Sequence, residues 1–173
     1  MDYGLNMKLL KCPHGPIPMT YFPLKIFLAG GITNCPRWQD DALELSKHLP
    51  DNVLLYNPRR DSFDITDPNT TKFQIKWEHT ALTQSDAILF WFPKDTLCPI
   101  TLFELGKFAG KKPIFVGTDL AYARRLDVIE QLSYIDESVN VRYTLDHVIA
   151  DVTKFVEEYD FDEKVNNDLE ELR

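Results

Sequence analysis

A chain of 173 residues, 44% hydrophobic and 27% charged, has the length of one ordinary globular domain and enough apolar content for one core. Its formal net charge is −8, and its dense basic spots are only the pairs Arg59-Arg60, Lys111-Lys112 and Arg124-Arg125, which argues against a groove for polymeric DNA or RNA. No apolar run approaches the ~20 residues that span a bilayer. The N-terminus also lacks the apolar core and small-residue cleavage site of a signal peptide, so no membrane partner is expected.

Residues 1–23 form an irregular lead-in arm, rich in proline and without a sustained period. Leu24 to Ala29 is a short apolar run ending in Gly30-Gly31, the pattern of a buried strand entering a tight turn. In RWQDDALELSKHL, the residues Trp38, Ala42, Leu45 and Leu49 fall on one face of an amphipathic helix. Asn52 to Tyr56 is a second strand, stopped by Asn57-Pro58. The stretch RRDSFDITDPNTT is too rich in Asp, Asn, Pro and Thr to be regular. Phe73, Trp77, Ala81 and Gln84 then mark a second helix, and Asp86 to Phe92 is the most apolar strand of the chain. The stretch ITLFELGKFAG is a third helix with Gly110 past its end, followed by a strand at Pro113 to Val116. A helix at Arg124 to Leu132, a strand near Val139 to Tyr143 and a helix at Leu145 to Glu157 complete the set. Residues 159–173 are a charged, acidic tail in which no chemistry is expected.

Nearly all-apolar strands alternating with helices imply a parallel sheet covered on both faces. With right-handed crossovers, residues 24–158 are predicted to be a single α/β domain with a doubly wound five-stranded sheet, Rossmann-like or flavodoxin-like. Such sheets bind ligands beyond the carboxyl ends of their strands. Gly30-Gly31 to Trp38, Asn57 to Thr70, Pro93 to Thr101 and Gly117 to Arg125 are predicted there.

At or near the strand ends lie the Gly30-Gly31 turn, the helix carrying Trp77-Glu78, the Lys94-Asp95 loop and Glu104, and the carboxylates Glu78, Asp95 and Glu104 could converge on one pocket. Cleaving a glycosidic bond needs that combination, with one carboxylate attacking or stabilising the sugar carbon and another group handling the proton of the departing base. Glu104 lies in Thr101-Leu102-Phe103-Glu104, which also fits a capping box, and the spacing does not decide between the two. A helix N-terminus would help keep such a carboxylate ionised. On the residues alone Glu78 fits a solvent-exposed helical residue better, Asp86 a turn cap, and Asp95 an ordinary turn residue. Gly30-Gly31 lacks the spacing of a dinucleotide site or P-loop, but it allows close approach of a ligand to the backbone. The three cysteines, Cys12, Cys35 and Cys98, have no CxxC pair and fit free thiols in a reducing, cytoplasmic compartment. Cys12 and His14 alone do not make a closed zinc site.

The strings KIFLAGGITNCPRWQDDAL, LLYNPRRDSF, QIKWEHTALTQSDAILFWFP and PITLFELGKFAGKKPIFVG occur in this order between Leu24 and Leu132. Together they resemble the nucleoside 2-deoxyribosyltransferase family, in its branch with a WE…SDAILFW core. The resemblance implies a flavodoxin-like sheet, no cofactor, and homo-oligomers with shared active sites. It implies exchange of the base on a 2-deoxyribose through a covalent deoxyribosyl–glutamate intermediate, with a deoxynucleoside or deoxynucleotide and a free nucleobase as partners. The family's nucleophile, the Glu of an FE-L-G helix, lands on Glu104. Its earlier acidic residue lands on Glu78, which would orient the sugar or the nucleophile. Two positions depart from the pattern: Phe27 replaces a Tyr beside the nucleophile, and Cys98 replaces the Asp that handles the base proton, leaving Asp95 as its substitute.

Further candidate substrate contacts are Gly30, Gly31, Asn57 and Asp86, with Trp38 or Phe92 as a stacking surface for the base. Arg59, Arg60, Arg124 or Arg125 would clamp a phosphate if the substrate is a 5'-monophosphate that is hydrolysed. A nucleotide sensor without catalysis is the reading from a different class.

Overall fold

The structure is a computed structural model that describes residues 9–12, 24–61, 67–162 and 164. Its elements in chain order are β1 (Leu9–Lys11), β2 (Leu24–Gly30), α1 (Trp38–Leu45), β3 (Val53–Asn57), α2 (Pro68–Gln84), β4 (Ala87–Phe92), α3 (Pro99–Phe108), β5 (Ile114–Thr118), α4 (Arg125–Ser133), β6 (Val141–Arg142) and α5 (Leu145–Glu157). The strands form one sheet in the order β1-β3-β2-β4-β5-β6, and every neighbouring pair is parallel. Without the edge strand β1 this is the flavodoxin-like order, in which the second strand lies outside the first.

The near-continuous apolar strands are buried on both sides, and their alternation sorts the core into two layers. From β2 and β4, Phe27, Ala29, Ile88, Phe90 and Phe92 pack with Trp77, Ala81, Leu105, Phe108, Val128 and Leu132 of α2, α3 and α4. The intervening residues Ile26, Leu28, Leu89 and Trp91 pack with Trp38 and Ala42 of α1 and Val148, Ile149, Val152 and Val156 of α5. The α5 stripe and boundaries agree with the sequence pattern.

Three expectations are corrected. The sheet has six strands rather than five, because Leu9–Lys11 in the supposedly irregular arm pairs with Leu55, Tyr56 and Asn57 of β3. The first helix ends at Leu45, so Leu49 lies beyond it, yet still packs in the same core layer. The second helix starts at Pro68, inside the stretch expected to be irregular. The Asp67 carboxylate caps it by accepting from the N–H groups of Asn69 and Thr70, and Pro68 occupies the first position, where a missing N–H costs nothing.

Gly30 is required by close approach. A Cβ added there would lie 2.4 Å from Cζ2 of Trp38 and 2.5 Å from the Trp91 carbonyl oxygen. Gly30→Ala is expected to destabilise the protein by about 2 kcal/mol through overpacking. In thermal unfolding this should lower Tm by roughly 4 to 8 °C; an unchanged melt would mean that Trp38 yields freely.

Among the described residues no helix is long and apolar enough to cross a membrane.

Candidate active site

The chain leaves β2 toward β3 on one side of the sheet, and β4 lies on the other. At this switch point the connections diverge and open a crevice beyond the carboxyl ends of the strands. The crevice has a volume of about 430 Å³. Its lining includes Phe27, Gly30 and Gly31 from β2 and its turn, Pro58 and Arg60 after β3, Gln74 and Glu78 of α2, Thr96 and Cys98 after β4, and Thr101 and Glu104 of α3.

One wall is fixed at the Gly31 carbonyl oxygen, which accepts from Trp38 Nε1 at 2.9 Å, Gln39 Nε2 at 3.2 Å and Arg59 Nη2 at 3.3 Å. Arg59 also donates to Gln39 Oε1 and to the Pro36 carbonyl, while its own N–H donates to Asn57 Oδ1. Trp38, Asn57 and Arg59 are therefore buried behind the pocket surface, holding the turn in place.

The opposite wall is α3, and here the capping-box expectation fails. The helix starts at Pro99, two residues before Thr101, with Cys98 as N-cap in a left-handed conformation at φ 46° and no side-chain cap bond. Glu104 is thus the sixth helical residue, too far along to take part in a cap. Nor is it held ionised, as expected of a helix N-terminus. Burial and the negative charge of Glu78 push its carboxyl up to about 8, and Lys107 only partly offsets them.

Glu78 lines the crevice rather than being freely exposed on the outside of α2. Burial raises its pKa, while a hydrogen bond from Gln74 and the nearby Arg60 guanidinium oppose that shift. Gln74 Nε2 donates to Glu78 Oε1 at 2.7 Å, and Gln74 Oε1 accepts from Arg60 Nε at 2.6 Å. The Arg60 guanidinium also stacks over the Phe73 ring at 5.3 Å.

Of the residues singled out from the sequence, the structure thus brings Phe27, Gly30, Gly31, Arg60, Glu78 and Glu104 to one surface. Asp95 is exposed on the loop after β4 and does not line the crevice. Phe92 is fully buried, its ring 5.2 Å from that of Tyr122, so it offers no face to a base. Arg124 is exposed beside Asp127, at 3.6 Å, and does not line the crevice. Arg125 donates to Thr118 Oγ1 and stacks over Tyr143. Asp86 is at the opposite, amino-terminal end of β4, where it accepts from the Lys25 N–H at 2.8 Å and faces Lys164. His14 lies outside the described residues. Among the described residues there is no cluster of three or more His, Cys, Asp or Glu side chains that could hold a metal ion.

Sequence reasoning missed Gln74, while Thr96 and Thr101 lie in the segment Pro93 to Thr101 that was expected there without being singled out. Gln74 had one available signal: it stands four residues before Glu78, on the same helical face.

The family described as nucleoside 2-deoxyribosyltransferase like matches residues 23–122, a span that contains every residue lining this crevice. The chain belongs to the nucleoside 2-deoxyribosyltransferase-like family. No curated protein matches it. Membership in this family suggests a nucleoside-handling glycosyl transferase, acting on small-molecule nucleosides and bases. The crevice suits that role: it is concave and mostly apolar, with a few polar groups in its lining.

Proposed function

We propose that the protein cleaves the N-glycosidic bond of a 2'-deoxynucleoside and transfers the deoxyribosyl group to a second base through a covalent ester on Glu104. The observation that carries this reading is the pair of electrostatically coupled carboxyls, Glu78 and Glu104, in one crevice at the switch point of the sheet. In the first step a Glu104 carboxylate oxygen bonds to C1' as the C1'–N bond breaks. Its electron pair stays with the departing base, which takes a proton. In the second, a nitrogen of the incoming base bonds to C1', the ester bond breaks, and the proton returns. Two displacements retain the configuration at C1'.

Glu78 is assigned the proton in place of Asp95, because it is the other carboxyl in the lining. Cys98 fits this role poorly, since burial and the neighbouring Cys35 push its thiol up to about 11. The proposal includes a second copy of the chain beside the crevice, as the resemblance implies. Ile100 and Phe103 of α3 are 64% and 71% exposed, an apolar surface that suits such contact. Light scattering is expected to give a mass that is a multiple of 20.1 kDa; a monomer at assay concentration removes the shared-site feature.

The test is incubation with deoxyadenosine, thymidine and deoxycytidine and their monophosphates, with and without a free acceptor base, followed by chromatography. New nucleoside that forms only with acceptor supports transfer. Free base released without acceptor supports hydrolysis instead, and no turnover across the panel counts against both. Arg60 favours a second reading, in which the substrate carries a 5'-phosphate, because it is the one arginine lining the crevice among the described residues. Comparing each nucleoside with its monophosphate separates the two.

A further inference from the structure

Gln74 is 8% exposed, and both ends of its amide are fully engaged. Its Oε1 accepts from Arg60 Nε at 2.6 Å and from the Cys12 thiol at 3.0 Å. Its Nε2 donates to the Pro58 carbonyl at 2.8 Å and to Glu78 Oε1 at 2.7 Å. Arg60 Nε can only donate and the Pro58 carbonyl can only accept, so rotating the amide by half a turn would set donor against donor and acceptor against acceptor. The orientation is therefore fixed by partners from outside α2, and one N–H of the amide is aimed at Glu78.

We infer that Gln74 is a positioning residue that holds the Glu78 carboxyl in place through Oε1 and leaves Oε2 as the oxygen on which a proton resides. This rests on the two-carboxyl reading above and adds a residue that acts through Glu78 rather than on the substrate. Three segments meet at Gln74: Cys12 follows β1, Arg60 follows β3, and Glu78 lies one turn further along α2. The charged and titratable groups around Glu78 are Arg60 and Cys12 on this side and Glu104 of α3 on the other, with Lys107 acting on Glu104. A donor to the ionised form of a buried carboxyl favours that form, and removing the donor favours the neutral acid.

The test uses the full chain with Gln74→Leu and Gln74→Glu. The Glu78 carboxyl is titrated by carbon-13 NMR in the free protein, with its signal assigned from Glu78→Gln. Gln74→Leu is expected to move the Glu78 titration upward by about one pH unit. It should lower kcat by roughly 10- to 100-fold while KM changes little. Gln74→Glu keeps an acceptor for Arg60 and Cys12 but removes the donated hydrogen bond, so it separates positioning from bridging. It is expected to shift the Glu78 titration upward as well and to lose kcat. If Gln74→Leu does not fold, this second variant carries the same measurement. An unmoved Glu78 titration in the folded variants, or wild-type kcat in Gln74→Glu, overturns the inference. If the wild-type protein releases no base from any nucleoside, the transferase reading fails while the NMR titration still decides the role of Gln74.

Discussion

On the proposed mechanism Glu104→Gln is expected to lose base release by a factor on the order of 10⁴ or more, because the other carboxyl in the lining, Glu78, serves the base proton and does not replace the attacking carboxylate. The fold should remain, since Gln has nearly the same shape and the substitution removes a carboxyl that burial disfavours as an ion. The stability change has a definite sign. Folding raises the Glu104 pKa from an ordinary 4.5 to about 8, so the folded protein binds more protons than the unfolded chain between these values. Stability therefore falls as pH rises through that window and levels off above it. The Glu104→Gln protein lacks this loss. Its melting curve should coincide with that of the wild type near pH 4.5 and lie on the order of 10 °C higher at pH 9. Paired melts across the range, with base release measured on the same samples, check both halves. Retained turnover removes Glu104 as nucleophile, and an unchanged gap in Tm removes the buried-acid account of its environment.

Glu78→Gln is the variant with the second large effect, and its signature is the shape of the pH profile. On the proposed mechanism the two carboxyls share one proton, carried by Glu78 while Glu104 is ionised. Wild-type kcat/KM should fall as pH rises through about 8, where the pair loses that proton. Glu78→Gln has no acid to lose. Its Glu104 is also relieved of the charge that raised its pKa, so kcat/KM should instead rise with pH to a plateau, with a midpoint below 8. The rate should drop about 10²- to 10⁴-fold with natural bases. With a leaving group that departs as a stable anion, such as 4-nitrophenol, the loss should be far smaller. A Glu78→Gln profile with the same falling limb as the wild type would assign that limb to another group.

The core of the fold was legible because its strands are long apolar runs with abrupt ends. The runs of β2 and β4 stop at Gly30-Gly31 and Pro93, and the α5 stripe repeats with helical period. β1 was not legible, because a three-residue strand carries no period of its own and exists only through its pairing with β3. The start of α3 was read within one residue, at Ile100 rather than Pro99, but spacing left the capping box at Thr101 open, and only Cys98 in a left-handed conformation and Pro99 close it. Within the site, the carboxyls of Glu78 and Glu104 were nameable one by one, but their meeting depends on α2 and α3 covering the same sheet face. The neighbours Arg59 and Arg60 show the limit most directly. They carry the same charge in the same run of sequence, yet one is bound into the wall and the other lines the crevice. Both lie past the end of β3, outside regular structure, so no periodicity in the sequence says which side chain faces the crevice.

The Gly31 carbonyl, held by three donors, bears on the thermodynamics of ligand capture. A peptide unit held in this way has little torsional freedom left to lose, so a sugar settling against it incurs almost no ordering cost on that flank. Whatever entropy is lost on association then falls on the incoming molecule and on the α3 flank, where Ile100 lines the crevice and is in solvent. Water leaving that apolar side chain gives binding a negative heat-capacity change, and that change is localised to one lip of the crevice.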